Sequence, residues 1–478
     1  MLKMIFSDLI WQYDQYSAYS LIILLQRLYF TYFSFQATHN FMLSRREFLG
    51  KSMLTAGFLS VSPFSKLLAS EDFRRFEKLT PSEAATDEDF WKGVRETYGL
   101  SKELIYLNNA GINPQPTIVQ EAEINGYKFA NEAPTYTMWR RLDEGREPLR
   151  AKLAEMAGCS VEEIAINRNS TEGLNTIIFG LNLKAGDEVV LSNFDYPNML
   201  NAWKQRELRD GVKLVWIEDF NFPVEDDQQM VEAYTKAITS KTKIVHITHL
   251  INWTGQIVPV RKITDIAHQK GCEVIVDGAQ SFAQIEFKIP DLDCDYFATS
   301  LHKWLGAPFG TGMMYVKKEK IKNIWALLSA PDPASDNIRK FENLGTRSTV
   351  TEMVIDNAID FHKKIGGARK EARLRYLKDY WCSKVKDMPK VKLYTSMNPQ
   401  FACGLATFQV MGWSIRSMSE KLFDDNKFIV TTMNDYHAVN GIRVSPNVFT
   451  SLEELDKLVH CIKEMTNMEP TPPHTPKK

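Results

Sequence analysis

Cys294-Asp295-Tyr296-Phe297-Ala298-Thr299-Ser300-Leu301-His302-Lys303-Trp304-Leu305-Gly306 reads as a short strand whose end carries Ser, His and Lys in close succession. A glycine-rich segment follows, with Gly306, Gly310 and Gly312. Ligands of parallel sheets sit beyond the carboxyl ends of the strands, so Lys303 stands where an amine could act on a bound molecule. An amine nucleophile needs a lowered pKa, which partial burial and a cationic neighbour supply. Taken alone, a lysine in such a place is more often an exposed side chain without a role.

Outward from this stretch, strand-like runs recur. They are expected near Glu163–Asn167, Glu188–Ser192, Lys213–Ile217, Lys243–Thr248, Glu273–Asp277 and Tyr296–Thr299. Longer amphipathic stretches separate them, such as those expected over Asn198–Arg209, Asp227–Ala237 and Val260–Gln269. The alternation predicts an α/β fold, a mainly parallel sheet sandwiched by helices. Past residue 346 the texture changes to Lys/Arg/Glu-rich helical sequence, then short strands around Val391–Tyr394 and Gly404–Met411, then a last helix near Leu452–Met465. The expected organisation is a large domain over 85–345, a smaller C-terminal α+β domain over 346–466 and a disordered, proline-bearing tail over 467–478.

The 478 residues suffice for two or three domains at roughly 100–200 residues each. Apolar residues at 44% and charged residues at 24% are ordinary globular values, which excludes a disordered, collagen-like or disulfide-scaffold chain. The net charge of −1 offers no pull toward nucleic acid. None of the six cysteines forms a C-x-x-C pair, which argues against a zinc ribbon or a thioredoxin-like pair. His246 and His249 lie three apart on an expected strand, so their side chains face opposite ways and share no metal. No metal site is expected.

Two further stretches carry chemistry. Glu273-Val274-Ile275-Val276-Asp277-Gly278-Ala279-Gln280 is an apolar strand that ends in a carboxylate. A carboxylate there could pair with a pyridinium nitrogen and keep a ring protonated, although such residues more commonly cap the next turn. Ile164-Ala165-Ile166-Asn167-Arg168-Asn169-Ser170-Thr171-Glu172-Gly173 is a strand followed by a helix start. Ser170 and Thr171 can cap it, and its free N–H groups favour a phosphate; the plain alternative is an N-cap without a ligand.

In this order and combination the motifs resemble the pyridoxal-phosphate enzymes of fold type I, specifically the class V aminotransferase group, with its isopenicillin N epimerase-like and cysteine desulfurase-like members. The resemblance covers about residues 104–460. It implies pyridoxal 5'-phosphate as cofactor, held as a Schiff base on Lys303. It implies that Asp277 pairs with the pyridinium nitrogen and that Gln280 and Asn252 face the phenolate oxygen. Ser170, Thr171, Ser300 and His302 would hold the phosphate. Thr346, in Gly345-Thr346, would reach the phosphate of a partner subunit in a homodimer. Tyr196, in Asp195-Tyr196-Pro197-Asn198, takes the place of the residue stacked on the ring, where desulfurases carry His; an aromatic suits a flat ring. Tyr106-Leu107-Asn108-Asn109-Ala110-Gly111 matches the substrate-facing first loop, with Asn109 and Gly111 as substrate-binding positions. Arg443, in Gly441-Ile442-Arg443-Val444, matches the arginine whose fork takes an α-carboxylate.

The cofactor labilises several bonds at an amino acid's α-carbon, so the fold does not name the reaction. The expected function is chemistry at that carbon, by transamination or by isopenicillin N epimerase-like epimerisation. A desulfurase or lyase, and a non-catalytic ligand-binding protein that keeps the fold, are the alternatives. A desulfurase needs a thiolate on a mobile loop, and neither Ser329–Leu344 nor Met433–Gly441, read as such loops, contains cysteine. His437 in the second loop is a candidate acid or base, against the commoner exposed loop histidine. Met42-Leu43-Ser44-Arg45-Arg46-Glu47-Phe48-Leu49 resembles a twin-arginine export signal, expected over 42–70, with residues 1–41 an upstream artefact or leader. The uncharged run from Gln15 to Gln26 is too short to span a bilayer. A periplasmic protein delivered by the twin-arginine machinery is the corresponding expectation, with a cytoplasmic one as the alternative.

Overall fold

The computed structural model describes residues 63–217, 220–436 and 439–470. The stretch 1–41, the Arg45-Arg46 pair, His437 and the tail beyond 470 lie outside the described residues. After a short strand β1 (Ile105–Tyr106), the central sheet is built from β2 (Ile164–Asn167), β3 (Glu188–Leu191), β4 (Lys213–Trp216), β5 (Thr242–Thr248), β6 (Glu273–Asp277), β7 (Tyr296–Ser300) and β8 (Gly312–Val316). Its order is β2-β8-β7-β6-β5-β3-β4. From β7 to β4 all neighbours pair parallel, whereas β8 runs antiparallel to both β2 and β7.

Both faces of this sheet are covered, and successive strand residues divide between two cores. Val274 and Val276 pack in one, Ile275 in the other; Phe297 joins the first, Tyr296 and Ala298 the second. The period of two along a strand produces this division. It also explains the near-continuous apolar runs, since a sheet covered on both sides has no wet face.

β8 is a strand where the sequence suggested only a glycine-rich segment. Gly312 begins it because a Cβ there would come within 2.7 Å of the Asn169 backbone. That glycine marks a close approach between neighbouring segments, not a chain break.

The C-terminal region contributes a four-stranded antiparallel sheet, order β12-β13-β10-β9, from β9 (Val391–Leu393), β10 (Ala406–Val410), β12 (Thr431–Tyr436) and β13 (Val439–Val444). Trp381, Phe408, Ile442 and Leu458 fill its core. Of the stretch Met433–Gly441, expected as a loop, the described residues 433–436 and 439–441 belong to β12 and β13, which pair antiparallel with Thr431 in register with Arg443. The Asn434-Asp435 pair carries the composition of a turn and falls where the register shifts between Met433 and Tyr436. The strand β11 (Phe428–Ile429) leaves this sheet and pairs parallel with β1.

Residues 63–96 form four short helices against the body. Phe64 and Leu67, inside the stretch read as an export signal, pack in the same core as Phe73 and Phe76. Phe64 meets Phe361 at 4.7 Å between ring centres. Among the described residues no helix is long and apolar enough to cross a membrane.

The turn after β6 allows a direct check. A Cβ on Gly278 would land within the contact radius of the buried Phe297 ring. Gly278→Ala is expected to lower the unfolding free energy by about 1–3 kcal/mol, the usual range for overpacking, measured by urea denaturation.

Candidate active site

Polar residues gather where the parallel strands end. β7 delivers Ser300 as its last residue, and the helix Ser170–Gly180 begins three residues after β2. Ser300 Oγ accepts the Ser170 N–H at 2.9 Å, and the two hydroxyls lie 3.0 Å apart. Asn169 caps this helix by accepting the Glu172 N–H at 2.9 Å. The positive end of the helix dipole and two serine hydroxyls therefore face one spot, with Thr171 half-buried beside them. His302 donates from Nδ1 to the Thr311 carbonyl at 3.1 Å. Burial, with Lys303 adding repulsion, pushes its imidazole down to about 4, so it is neutral at pH 7.

Lys303 opens a tight turn closed by the Gly306 N–H on the Lys303 carbonyl, with Gly306 at φ 74°. That conformation favours glycine. Desolvation pulls the Lys303 amine down to about 8, Asp277 acts against this and Arg443 adds to it. The amine lies 6.0 Å from the centre of the Tyr196 ring. Tyr196 is 40% exposed.

Asp277 ends β6 and is buried. Its Oδ1 accepts the Ala279 N–H at 2.9 Å. Burial raises its pKa, opposed by that hydrogen bond and by Lys303. Gln280 donates to the Ala110 carbonyl at 2.8 Å and accepts the Trp304 indole N–H at 2.9 Å. Its second amide hydrogen remains for a ligand.

Arg443 is brought in by β13 and is 5% exposed. It donates to the Asn252 carbonyl at 3.1 Å, to Asn108 Oδ1 at 2.9 Å and to Thr431 Oγ1 at 3.3 Å. Its Nε and the Asn252 side-chain oxygen are buried and have no hydrogen-bond partner among the described residues. Among the described residues no carboxylate pairs with the guanidinium, and burial lowers its pKa to about 10. A buried cation in this state gains most from an incoming anion.

The first loop arrives through the β1–β11 pairing. Asn109 commits its amide group to the Ser445 carbonyl at 2.7 Å, so its side chain is tied to the chain itself. Gly111 leaves room for the Asn108 side chain, which a Cβ would meet at 3.1 Å. The structure thus assembles Ser170, Thr171, Ser300, His302, Lys303, Asp277, Gln280, Tyr196, Asn252 and Arg443 around the strand ends. Thr346 is placed elsewhere, exposed on the rim of a cavity of about 600 Å³ lined by Trp139, Arg146, Arg339 and Arg347.

Three contributors escaped the sequence. Asn108 was in view, but only the fold shows that it, and not Asn109, meets Arg443. Trp304 follows Lys303 directly, and its indole N–H needs a buried acceptor, which is the available signal. Asp195 precedes Tyr196; its Oδ1 accepts from Thr248 Oγ1 at 2.7 Å. Burial, with the Asp277 charge adding, pushes its carboxyl up to about 7.

The electrostatics can be titrated in the cofactor-free protein. Lys303 is expected to acylate with a midpoint near 8, read by mass spectrometry of its peptide across pH. Arg443→Gln removes a repelling cation and raises that midpoint; Asp277→Asn removes the stabilising anion and lowers it.

Known proteins match this chain in sequence and in fold. The sequence profile of the family described as aminotransferase class-V matches residues 105–458. Isopenicillin N epimerase of Streptomyces clavuligerus is 25% identical, covering 79% of this chain and 98% of its own length. A probable cysteine desulfurase of Halalkalibacterium halodurans is 30% identical, covering 64% of this chain and 78% of its own. The apo structure of a cysteine desulfurase from Thermococcus onnurineus superposes with a TM-score of 0.70 at 25% identity, covering 80% of this chain and 98% of that one.

Proposed function

From the premise that the chain belongs to the aminotransferase class-V family, we propose that it is a pyridoxal 5'-phosphate enzyme that moves the α-proton of an amino acid. The observation that carries this reading is a half-buried lysine amine set near a buried arginine that has no carboxylate partner among the described residues. An amino acid supplies both missing elements, a carboxylate for Arg443 and an α-carbon for the amine.

The residues fit the cofactor. Ser170, Ser300 and the helix N-terminus suit its phosphate. Asp277 has an oxygen left for a ring N–H, and a buried carboxylate gains from such a partner. The unpartnered Asn252 oxygen and the spare Gln280 hydrogen suit the polar edge of the ring. Lys303 would hold its aldehyde carbon. Bound there, the cofactor supplies the electron sink that acidifies the α-hydrogen.

The chain's own groups then divide the work. Arg443 clamps the α-carboxylate and fixes which bond is presented to the reacting centre. Lys303, with its pKa near 8, both accepts and returns a proton close to neutral pH. Epimerisation needs a second proton donor on the opposite side. The Tyr196 phenol, whose ring lies 6.0 Å from the amine, is our candidate. Transamination needs Lys303 alone.

A desulfurase is less well supported. Cys272, Cys294, Cys382, Cys403 and Cys461 are buried, and burial holds the half-buried Cys159 thiol at about 12. We also propose that the protein works as a homodimer to whose partner site Thr346 contributes, and that it is exported to the periplasm by the twin-arginine route. Sedimentation and N-terminal sequencing of the mature protein test these two.

Incubation of the loaded enzyme with single amino acids in deuterated water tests the main reading. Racemic deuterated product identifies an epimerase, keto acid a transaminase, and no exchange with any amino acid refutes both. Borohydride is expected to fix the cofactor on the Lys303 peptide; a colourless protein without that adduct ends the cofactor assignment. Lys303→Ala with full biological activity would support the ligand-binding alternative. Arg443→Gln is expected to raise KM by about tenfold to a hundredfold, the worth of a charged hydrogen bond. Tyr196→Phe is expected to abolish racemisation while α-deuterium exchange with retention persists.

A further inference from the structure

Lys370 lies in the first turn of the helix Gly367–Val385 and is 6% exposed. Its amine donates to the main-chain carbonyl of Trp304, the residue directly after Lys303. Among the described residues no carboxylate pairs with it. The Cys403 thiol and the His362 imidazole neighbour it from other elements. Burial holds the thiol up at about 12 and the imidazole well below its ordinary value, so neither balances a charge. Burial likewise draws the Lys370 amine down to about 7. A buried amine held by one carbonyl costs stability.

That carbonyl sits at the head of a relay. The Trp304 indole N–H fixes Gln280 Oε1 at 2.9 Å, which leaves the Gln280 amide hydrogens aimed by what Trp304 does. From the other side Gln284 donates to the Gln280 carbonyl and accepts the Gly404 N–H at 2.8 Å. The turn bearing Lys303 is therefore fastened to the C-terminal region at Lys370.

We propose that Lys370 is a positioning residue of the active site: its amine fixes the main chain of Trp304, and through it the placement of Lys303 and the orientation of Gln280 toward the phenolate oxygen of the cofactor. This rests on the reading of the site given above.

Wild type, Lys370→Met, Trp304→Phe and the double variant, each loaded with pyridoxal phosphate, are titrated by the visible absorbance of the lysine-bound cofactor. Thermal unfolding of the cofactor-free forms is followed in parallel. Lys370→Met is expected to unfold no earlier than wild type, because it removes a buried amine. Its absorbance midpoint is expected to rise by about one pH unit, a tenfold change in proton affinity. The sign follows from Gln280: an oxygen that loses its donor becomes more basic and keeps the shared proton to higher pH. Trp304→Phe moves the midpoint the same way, the double variant moves it no further than the larger single change, and Lys370→Gln, which keeps one donor, restores it. A midpoint identical to wild type in Lys370→Met overturns the proposal, with or without a loss of thermal stability. Should Lys370→Met fail to fold, an unshifted Trp304→Phe overturns it instead. A wild-type chain that takes up no cofactor overturns the site reading and this proposal together, which separates the two failures.

Discussion

Two cations and one carboxylate share a pocket with little water to solvate them. Burial weighs most on the Lys303 amine; Asp277 opposes it, and Arg443 adds a smaller repulsion. In such surroundings a lysine leans toward its neutral form and a guanidinium is left in want of a counter-ion. The pocket is electrostatically unfinished, and an anion that arrives at Arg443 completes it. The rest of the molecule is the apparatus that keeps these groups close. The parallel strands deliver Asp277 and Lys303 from neighbouring positions, because β6 and β7 pair in register. Arg443 comes from a different sheet.

Most of the central sheet was legible because its strands are apolar on both faces and separated by amphipathic helices. Glu273–Asp277, Asp227–Ala237 and Val260–Gln269 have the bounds expected of them. What escaped was set by partners distant in the chain. Gly312 looks like punctuation until Asn169 is seen against it. The β12–β13 pair mixes polar residues such as Thr431, Thr432 and Asn434 with the buried Val439, Ile442 and Val444, and β13 gains a further partner in β10.

The gathering of Ser300, Lys303, Asp277 and Tyr196 was legible for a related reason: each stands at or just past the end of a central strand, and the sheet makes those ends adjacent. Their hydrogen-bond partners were not, since a partner depends on which side chains the packing turns inward. Asn109 and Asn108 are adjacent in sequence, yet one is bound to the Ser445 backbone and the other to Arg443. Thr346 illustrates the limit of a single chain, for its expected role lies in another copy of the molecule.

The parallel pairing of β1 with β11 has a mechanical consequence. The segment that carries Asn108 is hydrogen-bonded to the strand leading into the arginine hairpin, and again at Ser445. The same segment also reaches the lysine side, through the Gln280 amide on the Ala110 carbonyl and the Asn113 N–H on the His302 carbonyl, so Asn108 and Arg443 are held in fixed relation to the lysine turn. A carboxylate received at Arg443 would meet the amine across a gap that the backbone has already measured out.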